Sequence, residues 1–242
     1  MLGGFNANSV VSQVTAAIHN YHTPTGVDVE LTGEQQDQKE TGAFLGRALL
    51  IAVGLIFIIL ITLFNSVSKP FIILTEVVFC VVGIMLGFAI TKMDMSIVMC
   101  GVGFIALAGL VVRNGILLVE FTDMLMAQGY EVKEAVIEAG RIRMTPVILT
   151  AIATILGLIP LAIGLNIDFG TLFNEGNPHI FFGGDSVAFW GPLSWTMIFG
   201  LSFATLLTLI LVPVLYYMTD RLKARLKRLT KKNPEVITAP AV

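Results

Sequence analysis

The sequence predicts an all-α membrane protein, a bundle of five transmembrane helices, and three observations lead to this fold class. Hydrophobic residues make up 55% of the chain, whereas charged residues make up only 13%, about half the share that is usual in soluble domains. The mean hydropathy is +0.85. Five stretches are long and apolar enough to cross a bilayer, which takes about 20 helical residues. A bilayer accommodates this much apolar surface, whereas a soluble fold of this size could not bury it.

The five predicted spans differ in their polar content. The first is uncharged from Ala48 onward, the fourth and fifth carry no charge, and the second contains only Glu76. The third carries Arg113, Glu120 and Asp123 in its second half. An unbroken helix over 186–219 would overshoot the membrane at 1.5 Å per residue, so we expect 186–192 to belong to the preceding loop. We place the spans at about 46–67, 70–91, 95–126, 144–166 and 193–218.

The orientation follows from the distribution of lysine and arginine, which concentrate in cytoplasmic segments. Basic residues cluster in 221–232 and recur in 127–143, so both segments are predicted to be cytoplasmic, and the short turn 65–69 falls on the same side. The opposite side then holds 1–42, 91–94 and 166–186, which are poor in lysine and arginine. The N-terminus is therefore predicted to lie outside the cytoplasm and the C-terminus inside it.

The chain is predicted to divide into a polar remnant over 1–42, a membrane domain over 43–220 and a basic tail over 221–242. Within the remnant, 13–19 favours a helical turn and 26–32 alternates apolar and polar residues, which is typical of a strand. A single strand has no sheet to join. We therefore expect a short α/β remnant of an outer domain, and a chain that is a fragment or one part of a longer protein.

The segment 131–143, between the third and fourth spans, is amphipathic. Val132, Ala135, Val136 and Ala139 share one helical face, while glutamates occupy another. We expect this segment to form a separate helix along the membrane surface.

The charges inside the spans are the candidates for chemistry, because such residues are costly in a bilayer and usually face a polar path. Arg113 and Glu120 lie seven residues apart and share a helical face, which Asn114 flanks. Arg143 and Thr150 share a face of the fourth span in the same way, together with Thr154. Two polar stripes predict a buried polar seam between these helices. The alternative is that Arg143 and Glu120 extend to water from helix ends and that the threonines bond to their own backbone.

Several other function classes are disfavoured. A net charge of −2 excludes a generally basic, nucleic-acid-binding character. The sequence contains no His-Glu-x-x-His or Gly-x-Ser-x-Gly motif, so an enzyme is not expected. His19 and His22 lack a further ligand in suitable register, and Cys80 and Cys100 are typical small buried hydrophobes. No metal site and no cofactor are predicted.

Four runs of the sequence are recognisable: GLVVRNGILLVEF at 109–121, RIRMTPVILT at 141–150, GLIPLA at 157–162 and PVLY at 213–216. In order and with family spacing, they resemble the C-terminal membrane helices of the resistance–nodulation–division (RND) efflux pumps. The leading segment 26–34 is similar to the strand that closes the porter domain of these pumps. The resemblance implies helices eight to twelve of a twelve-helix subunit of the bacterial inner membrane, in the branch that exports drugs and other amphiphiles in exchange for protons. The implied partners are the N-terminal half of the pump, two further copies in a homotrimer, a periplasmic adaptor and an outer-membrane channel.

The resemblance also implies residue roles. Arg113 takes the place of the basic residue of helix ten, usually lysine in drug exporters, with Asn114 beside it, and Arg143 and Thr150 match the members of the proton relay on helix eleven. Arginine keeps its proton in proteins, so Arg113 is expected to act as a fixed positive charge. The titrating aspartates of the family lie on helix four, which this chain lacks, and its own possible intramembrane carboxylates are Glu76 and Glu120. A truncated, transport-inactive fragment or a membrane scaffold is the alternative function.

Overall fold

The structure is a computed structural model that describes residues 34–168 and 179–231, together with 14, 16–18 and 176. The chain divides into two compact units, Met1–Phe44 and Leu45–Val242. In the first unit, residues 14 and 16–18 are helical, whereas the predicted strand 26–32 and the two histidines lie outside the described residues. The helices are α1 (Glu34–Phe64), α2 (Ser68–Thr91), α3 (Ile97–Ala127), α4 (Val132–Ile163) and α5 (Asp185–Lys231), and the strands are β1 (Leu165–Asp168) and β2 (His179–Phe182).

The predicted membrane fold is confirmed, because five helices of the described part are long and apolar enough to span a bilayer. They match the five predicted spans one for one. The two short strands pair in antiparallel register, with Leu165 opposite Phe182, and join α4 to α5. The spans are Gln36–Phe64, Ser68–Thr91, Ile97–Ala127, Val132–Ile163 and Phe189–Lys223.

Local signals fix several helix ends. Ser96 precedes α3 in an extended conformation, and its hydroxyl accepts a hydrogen bond from the amide of Met99, as an N-cap residue does. The α2 and α4 helices end on left-handed residues, Lys92 and Gly164. These turns separate α2 from α3 and α4 from the strands, so the span boundaries follow from capping as well as from hydropathy.

The prediction of a separate surface helix over 131–143 is wrong. The structure continues α4 without a break from Val132 through Pro146, and Ala135, Val136 and Ala139 are buried in the bundle core. The apolar face was correctly predicted, but it packs against other helices of the bundle. This packing holds the segment in line with the rest of α4.

The expectation that 186–192 forms a loop is also wrong, because α5 already begins at Asp185. Pro192 lies inside the helix, and its carbonyl accepts a hydrogen bond of 2.6 Å from the Thr196 hydroxyl. That expectation required the helix to end at the membrane boundary. The α5 helix has 47 residues, and at 1.5 Å per residue it is roughly 70 Å long, so it extends beyond a hydrocarbon core of about 30 Å.

The α5 helix packs against α2, α3 and α4 and forms the centre of the second unit. The close approach of α5 to α2 depends on two glycines of α2 that lie four residues apart. A Cβ at Gly83 would overlap Phe203 of α5, and a Cβ at Gly87 would overlap Phe199 of α5. By contrast, α1 buries almost none of its apolar window, and α4 buries less than half as much as α2 or α3. The packed centre, made by α2, α3 and α5, therefore positions the polar groups described next.

Candidate functional site

A polar cleft opens between α3 and α4, on the side where α5 supports both helices. Arg113 and Asn114 come from α3, and Thr150 and Thr154 come from α4. The cleft has a volume of about 30 Å³, which is room for one or two water molecules. These four side chains therefore line one cleft, but Arg113 and Thr150 are exposed there, whereas the sequence predicted a buried seam. Apolar walls complete the cleft, from Leu110, Ala151 and Leu201.

Arg113 is exposed at the mouth of this cleft, whereas its neighbour Asn114 is buried. Within the part of the chain that the structure describes, the Arg113 guanidinium makes no ion pair. A charged residue at the centre of a membrane span costs about 2.5–3.5 kcal/mol on insertion scales. An arginine in this position therefore calls for a partner of opposite charge.

The two threonines satisfy their own protons locally. The Thr150 hydroxyl donates to the carbonyl of Val147 at 3.0 Å, and the Thr154 hydroxyl donates to the carbonyl of Thr150 at 2.8 Å. Backbone bonding, the alternative considered from the sequence, is thus present. It leaves the oxygen lone pairs free to accept hydrogen bonds, so both hydroxyls line the cleft as acceptors.

Arg143 lies outside the cleft. Its guanidinium carbon sits 4.5 Å from the centre of the Phe121 ring, a cation–π distance, and its Nε is buried without a hydrogen-bond partner among the described residues. Glu120 is exposed and likewise belongs to no ion pair of the described part. Of the predicted seam, the structure therefore assembles Arg113, Asn114 and Thr150 and leaves Arg143 and Glu120 apart.

Glu76 occupies a second polar site, in the interior of the bundle. Its side chain is 1% exposed, and its Oε2 accepts a hydrogen bond of 2.6 Å from the Thr208 hydroxyl of α5. Its Oε1 has no hydrogen-bond partner in the described part of the chain. The sequence indicated no hydrogen-bond partner for Glu76, because this partner, Thr208, lies 132 positions later in the chain.

Sequence reasoning also missed a cluster of three side chains at one end of the bundle. The Asp123 carboxylate binds the Lys69 ammonium at 2.6 Å through Oδ2, and its Oδ1 accepts a hydrogen bond of 2.5 Å from the Tyr216 hydroxyl. These residues belong to α2, α3 and α5, so one carboxylate joins the three packed helices. A signal did exist: Lys69 and Asp123 both fall at helix ends predicted to be cytoplasmic.

Comparison with known proteins assigns the chain to a family. Residues 3–220 match the AcrB/AcrD/AcrF family. The swarming motility protein SwrC of Bacillus subtilis (strain 168) is 32% identical over 91% of this chain and 19% of its own length. The multidrug resistance protein MdtC of Erwinia tasmaniensis is 29% identical over 89% of this chain and 20% of its own length.

A solved structure agrees with these relatives. The crystal structure of a heavy metal efflux pump is 27% identical, with a TM-score of 0.71, over 90% of this chain and 20% of the pump. The chain thus spans about a fifth of the length of the proteins that it matches. The family match covers most of the sequence, and the relatives and the solved structure lead to the same family. The five membrane-spanning helices of the described part are consistent with it. The chain therefore belongs to the AcrB/AcrD/AcrF family of RND efflux transporters and carries a membrane portion of that fold.

Proposed function

We propose that this chain is the C-terminal membrane module of a proton-driven transporter that exports drugs or other amphiphiles. The observation that carries the proposal is the cleft, in which Arg113 stands beside Asn114 and Thr150 without an ion-pair partner among the described residues. A positive charge fixed in a membrane span, next to neutral groups that bind water, is suited to control a proton-carrying group. It has no evident use in a passive scaffold, which is the alternative function.

The cleft supports a simple electrostatic mechanism. The Arg113 guanidinium keeps its charge at every physiological pH, so the group that titrates at this cleft is a carboxylate that approaches from outside this bundle. The ionised carboxylate pairs with Arg113, and protonation of the carboxylate releases it. Asn114 and Thr150 would hold a water in the cleft, and this water would pass the proton to and from the carboxylate. Arg143 stays a predicted member of this relay, and it would have to leave the Phe121 ring to join it.

The substrate class is the second part of the proposal. The run around Arg113 resembles the amphiphile-exporting branch, and the relative MdtC is named a multidrug resistance protein. Metal cations are the second candidate, because the matched crystal structure is that of a heavy metal efflux pump. We favour amphiphiles, since the resemblance lies in the residues of the cleft itself.

Export by the complete transporter that carries this sequence tests both parts. In a bacterial host without its own multidrug pumps, we expect the transporter to lower accumulation of a cationic amphiphilic dye and a protonophore to abolish this effect. Tolerance to Zn²⁺ and Co²⁺ is expected to stay unchanged. A rise in metal tolerance without dye export would contradict the amphiphile class, and no export of either substrate would favour the scaffold.

The proposed setting is the bacterial inner membrane. There the module would join the N-terminal half of the same pump, within a homotrimer that works with a periplasmic adaptor and an outer-membrane channel. The N-terminus would be periplasmic and the C-terminus cytoplasmic, because the tail carries the densest group of lysines and arginines in the chain.

Reporter fusions test this orientation. A green fluorescent protein fused after Lys232 is expected to fluoresce, and an alkaline phosphatase at the same site is expected to be inactive. Fusions after Asp94, in the turn between α2 and α3, serve as the internal control and should give the opposite pattern. An active phosphatase after Lys232 would reverse the proposed topology.

A further inference from the structure

The Glu76 carboxyl lies where three helices of the bundle meet. Glu76 belongs to α2, its hydrogen-bond donor Thr208 to α5, and the glycine against which its Oε1 rests, Gly115, to α3. All three helices pack on one another. The Glu76 side chain is 1% exposed, and Oε1 has no hydrogen-bond partner among the described residues. Among the described residues, Glu76 is the one buried acidic side chain.

Gly115 shows how closely the carboxyl approaches α3. A Cβ built at Gly115 would lie 2.5 Å from Oε1 of Glu76 and 3.2 Å from Cγ2 of Ile73, so only glycine leaves room for the carboxyl. Gly115 follows Arg113 and Asn114 directly in the sequence. The Glu76 carboxyl therefore rests on the stretch of backbone that presents the cleft residues on its other side.

The surroundings of Glu76 do not compensate a negative charge. Lys69, the cation at the N-terminal end of α2, is bound to Asp123. The Tyr216 hydroxyl of α5 donates its hydrogen bond to the same carboxylate. Arg113 of α3 is exposed at the cleft mouth. An uncompensated carboxylate inside a protein is strongly unfavourable. None of the remaining titratable side chains that the structure describes on these three helices is hydrogen-bonded to Glu76. They are Cys80, Cys100, Glu120, Tyr217, Asp220, Arg221, Lys223 and Arg225, together with Lys92 at the far end of α2.

From this geometry we infer that Glu76 is a second protonation site of the transporter, separate from the cleft and located in this chain. The inference rests on the proposed function, and it identifies a proton-carrying group within the module itself. In the packed state the neutral acid fits between α2, α3 and α5. When the Oε1–H bond breaks, the proton passes to a water and leaves a carboxylate that must be hydrated.

Hydration of the carboxylate requires space that the packed state does not have. Because Oε1 rests on Gly115, the α3 backbone must move away from α2 to admit water. The same movement displaces Arg113 and Asn114, which lie two residues and one residue before Gly115. Loss of the Glu76 proton is thereby coupled to the cleft through one rigid helix.

Replacement of Glu76 by glutamine in the complete transporter separates a protonation site from a structural hydrogen-bonding group. Glutamine keeps the size of the side chain and can accept the Thr208 hydrogen bond, but it cannot release a proton. We expect Glu76→Gln to lose proton-driven export at unchanged expression and melting temperature. The matched control is Glu138→Gln, a half-buried glutamate outside both polar sites whose pair with the exposed Arg141 measures 3.8 Å, and it should export normally. Export by Glu76→Gln at the parental rate would overturn the inference.

Infrared difference spectroscopy of the purified transporter gives a readout that does not depend on export. Between acid and alkaline pH we expect a carboxylic C=O band that Glu76→Gln removes and Glu138→Gln leaves in place. Thr208→Val should shift this band and Thr208→Ser should restore it, so the test survives if Glu76→Gln fails to fold. A pH-difference spectrum that Glu76→Gln and Thr208→Val both leave unchanged would overturn the inference. Because the band needs no substrate, its presence in a transporter that exports nothing would count against the proposed function alone.

Discussion

Replacing Arg113 with alanine is expected to reduce proton-driven export by the complete transporter to the background of cells without it. The guanidinium is exposed at the mouth of the polar cleft and has no ion-pair partner in the described part of the chain. Without this charge, an approaching carboxylate has nothing to pair with in its ionised state, so its protonation no longer changes the structure. The measurement is the initial rate of dye efflux after cells are re-energised, with expression matched by immunoblot.

The lysine variant makes this prediction sharper. Arg113→Lys keeps a positive charge and should export near neutral pH, but a lysine in a bilayer can lose its proton where arginine cannot. Export by Arg113→Lys is therefore expected to fall as the pH rises, over a range in which the parental transporter stays active. Efflux by Arg113→Ala at the parental rate would show that Arg113 has no part in coupling. A lysine variant with an unchanged pH profile would remove the fixed-charge explanation.

The sequence predicted the spans because hydropathy over about 20 residues reports a property of the whole segment. It failed at the ends of α4 and α5, where one or two contacts decide the conformation. Burial of Ala135 and Ala139 keeps the start of α4 in the bundle, and the helical turn through Pro192 brings the start of α5 forward to Asp185. Neither effect is visible in a count of apolar residues.

The candidate site was predictable to the extent that helical periodicity determines it. Residues on one face of a helix stay on one face after folding, so Arg113 and Asn114 meet Thr150 across the α3–α4 contact. Arg143 shares the predicted face with Thr150, but its long side chain reaches the Phe121 ring instead. The bond from Thr208 to Glu76 depends on how distant helices pack together. Periodicity carries no information on such pairs.

The Asp123 cluster leads to the largest expected effect on stability. Asp123 accepts from Lys69 and Tyr216 at once, and the side chains of the ion pair are only 23% and 29% exposed. Replacing Asp123 with alanine removes both bonds and leaves a partly buried ammonium without its ion pair, 5.8 Å from the centre of the Phe64 ring. We expect a loss of about 1–3 kcal/mol in the free energy of unfolding, since hydrogen bonds to charged groups are typically worth this much.

A double-mutant cycle separates the two bonds that Asp123 makes. Tyr216→Phe removes only the hydroxyl and should cost about 1 kcal/mol. In the Asp123→Ala background the same change should cost clearly less, because the charged acceptor is gone and only the weak acceptor Sδ of Met126, at 3.4 Å, is left. Unfolding of the purified transporter in denaturing detergent provides the measurement. Glu138→Ala breaks the 3.8 Å pair with the exposed Arg141 and should be near neutral, as such weak pairs at a surface are. If Asp123→Ala unfolds like this control, the contact of α2 and α5 with Asp123 does not hold the three helices together, and their packing depends on the apolar core around Gly83 and Phe203.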